Sequence, residues 1–80
     1  MISYLATFYT HHDALTFFGY LKAQKIPAKM MPTPRKVSAS CGACVRYTTE
    51  LAVDFDAHDI EAVYTESAGV YTKIWGNSIS

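Results

Sequence analysis

The sequence has 80 residues, half of them hydrophobic, which is enough for one ordered domain and too few for two. Seven basic and seven acidic side chains cancel, so net charge gives no reason to expect binding to nucleic acid or to an anionic membrane. No apolar run approaches the roughly 20 residues that cross a bilayer, and the N-terminus has no signal-peptide pattern. We therefore expect a single cytoplasmic domain over residues 1–80, with an ordered core over about residues 2–75.

The first element is predicted to be a strand, because Ile2–Phe8 is rich in β-branched, aromatic and apolar residues. A helix should follow, since Thr10 and Asp13 have the spacing of a capping box before apolar residues at helical intervals. It should end near residues 24–25, because Pro27 disfavours a helical conformation in the residue before it.

A short second strand is predicted over Ile26–Met31, at a sheet edge because of its proline. The stretch Pro32–Gly42 reads as a loop, with two prolines and several small residues. Ala43–Val53 alternates as a half-buried strand does, and this third strand could end as early as Thr49.

A second helix is predicted over about residues 54–67, with Gly69 as its C-terminal stop. The apolar residues that carry this prediction recur at helical spacing: Ile60, Val63 and Tyr64. Val70–Trp75 should be the fourth strand, followed by a tail.

This order predicts an α+β ferredoxin-like βαββαβ domain, in which two helices cover one face of a four-stranded antiparallel sheet. The strand order would be fourth, first, third, second. The other face would be open, and could form a homodimer surface. The residues predicted on that face are Cys44, Arg46, Tyr71, Lys73 and Trp75.

The predicted topology brings the start of the first helix, with His11 and His12, close to Cys41. A cysteine acts as a nucleophile in its thiolate form, and the positive end of a helix or a protonated histidine favours that form. Ser40 and Gly42 are small neighbours that would leave the sulfur accessible. Cys41 is therefore the predicted reactive residue.

Cys41 and Cys44 form a Cys-x-x-Cys pair, which leaves several interpretations open. In an extended strand the two Cα atoms would be about 10 Å apart, so a disulfide requires a turn between them. The pair could act in thiol–disulfide exchange, bind zinc together with His11 and His12, or fill space as small apolar residues.

Pro34 and Arg35 could form a stiff arm that presents the guanidinium group to an anion or to an acidic partner surface. The alternative is an ordinary edge loop with a surface arginine. An RNA-binding sheet face is not predicted, since it would need a basic field around its aromatic residues.

The chain also resembles a family of small bacterial proteins, the selenium/sulfur carrier-like family. The resemblance covers roughly residues 1–46, more loosely the rest, and is carried by four segments: Tyr4-Leu-Ala-Thr-Phe8, His-Asp-Ala at 12–14, Ile26-Pro-Ala-Lys-Met-Met-Pro-Thr-Pro-Arg35 and Val37-Ser-Ala-Ser-Cys-Gly42. It implies that Cys41, the cysteine before glycine, is the functional residue. Cys44 departs from the family pattern, which has a small apolar residue at that position.

Together these observations predict a carrier that holds sulfur or selenium on Cys41 and requires no cofactor. Its partners would be a cysteine desulfurase or selenium-donor enzyme and an acceptor protein. Arg35, His11 and the helix end would stabilise the thiolate, and Cys44 could release the cargo. The rival predictions are a dithiol oxidoreductase and a metal-binding or regulatory module.

Overall fold

The protein folds into one five-stranded sheet with a single helix among its described residues. The computed structural model describes residues 2–37, 39–40, 42–50, 53–55 and 58–76. The elements in chain order are β1 (Ile2–Phe8), α1 (His11–Ala23), β2 (Ala28–Pro32), β3 (Ala43–Thr49), β4 (Ile60–Ser67) and β5 (Val70–Gly76). Within these residues, no helix is long and apolar enough to span a membrane.

The sheet is antiparallel throughout and has the strand order β2-β3-β1-β4-β5. The predicted neighbours β1 and β3, and β3 and β2, are confirmed. Because β1 and β2 are each antiparallel to β3 between them, they run parallel, and α1 connects them. This helix starts as predicted, since the Thr10 side chain accepts a hydrogen bond from the backbone N–H of Asp13 at 3.1 Å.

The predicted second helix is wrong, because its C-terminal half forms the strand β4 (Ile60–Ser67). A β-bulge explains the misleading spacing. Phe8 of β1 lies opposite Ile60 and Thr7 lies opposite Ala62, so Glu61 is an extra residue with no partner across the ladder.

The bulge reverses the alternation of side chains along β4. As a result Ile60 and Val63 both enter the core on the helix side of the sheet, and both are fully buried. Two residues three apart share a face in a helix, whereas in a regular strand they point to opposite faces. The bulged strand therefore imitates the helical pattern.

The ferredoxin-like βαββαβ prediction is consequently wrong: β4 is inserted between β1 and the last strand. β4 and β5 form a hairpin through Ala68 and Gly69, whose φ angles are 50° and 79°. Two successive positive φ angles are typical of the two-residue type I′ turn. Gly69, predicted as a helix stop, is the second residue of this turn.

The main core lies between the sheet and a layer formed by α1 and the connection that precedes β4. α1 packs on β1, β2 and β3. Beside it, His58 contacts the rings of Phe17 and Tyr20, and Phe55 packs against Trp75. These side chains take the place that the predicted second helix would have filled.

The opposite face of the sheet is partly covered, contrary to the prediction of an open face. The β2–β3 loop crosses it and buries Val37 against Leu5 and Cys44. Tyr71 lies on this face as predicted, but Trp75 packs into the core on the helix side. A second bulge causes the difference, since the register of β5 shifts by one residue at Ile74.

The boundaries of two strands, β2 and β5, also differ from the predictions. β2 spans Ala28–Pro32 rather than Ile26–Met31, and β5 ends at Gly76 rather than at Trp75. β3 ends at Thr49, the earlier of its two predicted ends. The predicted tail falls almost entirely on residues 77–80, which lie outside the described residues.

Candidate functional site

Cys41, the predicted reactive residue, lies outside the described residues, but both of its neighbours in the chain are described. On one side, the carbonyl oxygen of Gly42 accepts a hydrogen bond from the backbone N–H of Thr33 at 2.9 Å. This bond continues the pairing of Pro32 with Ala43 and closes the β2–β3 loop at its base. The residue after Cys41 is thus fixed to the end of β2.

On the other side, Ser40 is bound to Glu61, the bulged residue of β4. The Ser40 N–H donates to one carboxylate oxygen at 3.0 Å, and the Ser40 hydroxyl donates to the other at 2.5 Å. Hydrogen bonds to an ionised acceptor are about twice as strong as those between neutral groups. The residue before Cys41 is therefore held by two hydrogen bonds to the central part of the sheet.

The N-terminus of α1 lies at the same end of the molecule. His11, the first residue of the helix, lines an open groove of about 430 Å³, which we call the helix-end groove. Its lining residues are His11, Met30, Met31, Pro32, Gly42 and Ala43. The chain next to Cys41 is therefore beside the helix N-terminus, whereas His12 is exposed and does not line the groove.

Cys44 occupies a different environment from the loop residues. Its side chain is 0% exposed and belongs to the cluster beneath Val37. The thiol donates to the carbonyl oxygens of Met31 and Pro32, with sulfur–oxygen distances of 3.6 and 3.8 Å. A thiol in such surroundings is shielded from any bulky reagent or partner.

Pro34 and Arg35 lie in a turn, in which the Pro34 carbonyl accepts a hydrogen bond from the N–H of Val37 at 3.0 Å. Arg35 is exposed, and no hydrogen bond or ion pair joins it to another described residue. The next residue, Lys36, donates to the carbonyl of Gly69 in the β4–β5 turn at 3.1 Å. The arm therefore extends across the sheet face rather than along the helix-end groove.

Sequence reasoning missed Glu61 and Lys36, the two side chains that attach the loop to the β4–β5 hairpin. The sequence pattern places Glu61 in a helix, which gives no reason to expect its contact with Ser40, 21 residues earlier. No local sequence pattern identifies a bulged residue, and only the pairing of β1 with β4 reveals it. Lys36 contacts Gly69, 33 residues later in the chain, and no local sequence pattern predicts that contact either.

The metal-binding alternative finds no cluster of ligands in the part of the chain that the structure describes. There, no three His, Cys, Asp or Glu side chains lie close enough together to hold a metal ion. The ligand set proposed from the sequence includes Cys41, so it falls partly outside the described residues and stays a prediction.

Taken together, these features define a small α+β domain with a closed loop that contains Cys41, is fastened on both sides of that residue, and starts beside a helix N-terminus. Over residues 3–75 the chain matches the family described as "Putative Se/S carrier protein-like", and it belongs to that family. The resemblance inferred from the sequence is thereby confirmed. No curated protein and no solved structure was found to match this chain.

Proposed function

We propose that this protein carries sulfur or selenium as a persulfide or selenosulfide on Cys41. Membership of the selenium/sulfur carrier-like family supports the class of function. The observation that carries the proposal is the fastening of Ser40 and Gly42, the two residues that flank Cys41. A carrier has to present one sulfur atom to two different partners, and a fixed position in an accessible loop serves that purpose.

The loading step is an exchange without net oxidation. The Cys41 thiolate attacks the terminal sulfur of a cysteine persulfide on the donor, such as a cysteine desulfurase. A sulfur–sulfur bond forms on Cys41 as the one on the donor breaks, and the donor cysteine leaves as a thiolate. With a selenium donor, the bond formed is the sulfur–selenium bond of a selenosulfide.

In the proposed mechanism, the N-terminus of α1, which lies beside Gly42, stabilises the thiolate form of Cys41. The first turn of α1 carries the positive end of the helix dipole, and a protonated His11 would add positive charge beside the same groove. Met30, a flexible apolar residue that lines the helix-end groove, offers a surface for the partner around the transferred atom.

Cys44 is proposed to have a structural role rather than a part in transfer. Its burial beneath Val37 separates it from any docked partner. Release then proceeds by attack of an acceptor thiolate on the terminal atom, which restores the Cys41 thiolate. A dithiol oxidoreductase would instead require the Cys44 thiol, which is 0% exposed, to react with Cys41.

The proposal is tested by incubating the protein with a cysteine desulfurase and cysteine, followed by intact-protein mass spectrometry. We expect the mass to increase by one sulfur atom, and the increase to be abolished by reducing agent and by Cys41→Ser. Peptide mapping should place the added atom on Cys41.

The matched control is Cys44→Ala, which should load as the wild type does. A Cys41→Ser protein that still loads would contradict the proposal. So would a wild-type protein that no desulfurase or selenium donor loads although Cys41 reacts freely with iodoacetamide.

A further inference from the structure

Glu61 occupies a special place in the sheet. The register of β1 and β4 passes from Thr7–Ala62 to Phe8–Ile60, so Glu61 is the residue that the bulge leaves over. A bulge interrupts the alternation of side chains between the two faces of the sheet and changes the direction of the extra residue's side chain. Bulges are enriched beside functional sites. In this protein the redirected side chain reaches the β2–β3 loop.

Glu61 and Ser40 are joined by two hydrogen bonds. Both oxygens of the Glu61 carboxylate are used, one by the backbone N–H of Ser40 and one by its hydroxyl. The backbone bond fixes the direction of the chain, and the hydroxyl bond fixes the rotation of the serine side chain. No other side-chain hydrogen bond in the described residues attaches the loop so close to Cys41.

The contact also completes a pair of attachments. The carbonyl of Gly42 is hydrogen-bonded to Thr33 at the end of β2, and Ser40 is hydrogen-bonded to Glu61 of β4. The two neighbours of Cys41 are therefore attached to two different strands. Loss of the Gly42 bond would open the loop at its base, whereas loss of the Glu61 bonds would free only the segment that leads into Cys41.

From these observations we infer that Glu61 is a positioning residue for sulfur transfer: its carboxylate holds Ser40 so that the following thiolate meets the donor persulfide in a productive direction. Glu61 itself exchanges no atoms with the donor. The inference rests on the proposed carrier function and adds to it a residue that fixes the geometry of the reaction.

The test compares Glu61→Ala with Glu61→Gln in the desulfurase loading assay. Glutamine can accept from the Ser40 N–H through its oxygen and donate to the Ser40 hydroxyl through its amide, so it preserves the position while removing the charge. Because a misplacement of about 1 Å can slow an oriented reaction about 100-fold, we expect Glu61→Ala to load at least about tenfold more slowly. Glu61→Gln should load within about threefold of the wild type.

Three measurements distinguish positioning from a general loss of structure. Iodoacetamide, which needs no docking, should label Cys41 at a similar rate in all variants, and Cys44 should stay protected. The chemical shift of the Ser40 amide proton, measured by NMR, should stay close to the wild-type value in Glu61→Gln and change in Glu61→Ala, because only glutamine can still accept its hydrogen bond. Ser40→Ala, which removes only an exposed hydroxyl, should slow loading less than Glu61→Ala does.

Glu50→Ala serves as the control, since it removes an exposed carboxylate that has no described contact with the loop. Loading of Glu61→Ala at the wild-type rate would overturn the inference and leave the carrier function standing. Equal slowing of Glu61→Gln and Glu61→Ala would also overturn it, because charge rather than position would then matter. A wild-type protein that no donor loads would refute the carrier function, and the inference with it.

Discussion

At the scale of single residues, Tyr47 is a core side chain with a buried hydroxyl group that lacks a hydrogen-bond partner among the described residues. It is 1% exposed, stacks on Tyr4 with the ring centres 5.2 Å apart, and meets Phe17 edge-on. A buried hydroxyl without a hydrogen-bond partner lowers the free energy of unfolding by roughly 1–3 kcal/mol. The aromatic ring of Tyr47 therefore stabilises the fold, whereas its hydroxyl group destabilises it.

We expect Tyr47→Phe to raise the free energy of unfolding by about 1 kcal/mol, because it keeps the ring and removes the unpaired oxygen. Urea denaturation at neutral pH measures the change. The exposed Tyr9→Phe serves as a control and should have little effect. A clear loss of stability in Tyr47→Phe would mean that the hydroxyl has a partner that the described residues do not include.

Tyr47 also makes stability depend on pH at the alkaline end. Burial, with a smaller contribution from neighbouring Tyr4, raises the pKa of Tyr47 well above its ordinary value. The unfolded chain therefore loses the phenol proton at a lower pH than the folded chain does. The stabilisation is fully present below about pH 10 and is lost progressively as the pH rises above it. Unfolding measured between about pH 9 and pH 11 should show a shallower decline in Tyr47→Phe than in the wild type.

At the scale of elements, the β4–β5 hairpin is where the sequence prediction and the structure differ most. The spacing of Ile60 and Val63 indicates a helix, yet the next residues form a tight turn in which Ala68 has a φ of 50°. The left-handed region costs most residues about 1–2 kcal/mol, whereas asparagine and glycine adopt it readily. Asn-Gly is the preferred pair for this turn.

Ala68→Asn should therefore stabilise the protein by about 1 kcal/mol, because it creates an Asn-Gly type I′ turn. If residues 60–68 were helical, the same change would cost about 0.5 kcal/mol, so the sign of the effect discriminates between the two structures. Ala23→Asn in the last turn of α1 is the matched helical control, and it should destabilise. Thermal and urea denaturation of both variants measure the difference.

At the scale of the whole molecule, the protein has two cores of unequal size on opposite faces of one sheet. The smaller is formed when the β2–β3 loop places Val37 over Leu5 and Cys44, and Lys36 and Ser40 hold the loop in position. The same β2–β3 loop therefore places Val37 over Cys44 and shields that thiol from solvent.

Val37→Ala should loosen this cover and expose Cys44. Each buried carbon group contributes about 0.8 kcal/mol, so the loss of two should raise the rate at which Cys44 is labelled through local opening by about tenfold. The rate is measured with iodoacetamide in a Cys41→Ser background. Val70→Ala, which changes an exposed valine on β5, is the control and should leave labelling unchanged. Unaltered protection in Val37→Ala would show that Cys44 is shielded by something other than the loop.

Much of the first half of the fold could be predicted from local patterns. Three features depend only on residues that are neighbours in the chain: the strand Ile2–Phe8, the strand Ala43–Thr49 and the Thr10 cap of α1. The pairing of β1 with β3 was predicted from the split β-α-β arrangement, in which a third strand lies between the two strands that the helix connects. The motif around Cys41 also identified the family without any structure.

The sequence by itself thus determined the family, the candidate cysteine and the succession β1-α1-β2-β3, because each depends on short-range patterns. Only the tertiary structure decided the nature of β4, the face occupied by Trp75, the burial of Cys44 and the contact of Glu61 with Ser40. Each of these depends on register between strands distant in sequence. One extra residue in a strand moves every later side chain of that strand to the opposite face of the sheet. Buried residues on either side of it are then three apart, which is the spacing expected of a helix.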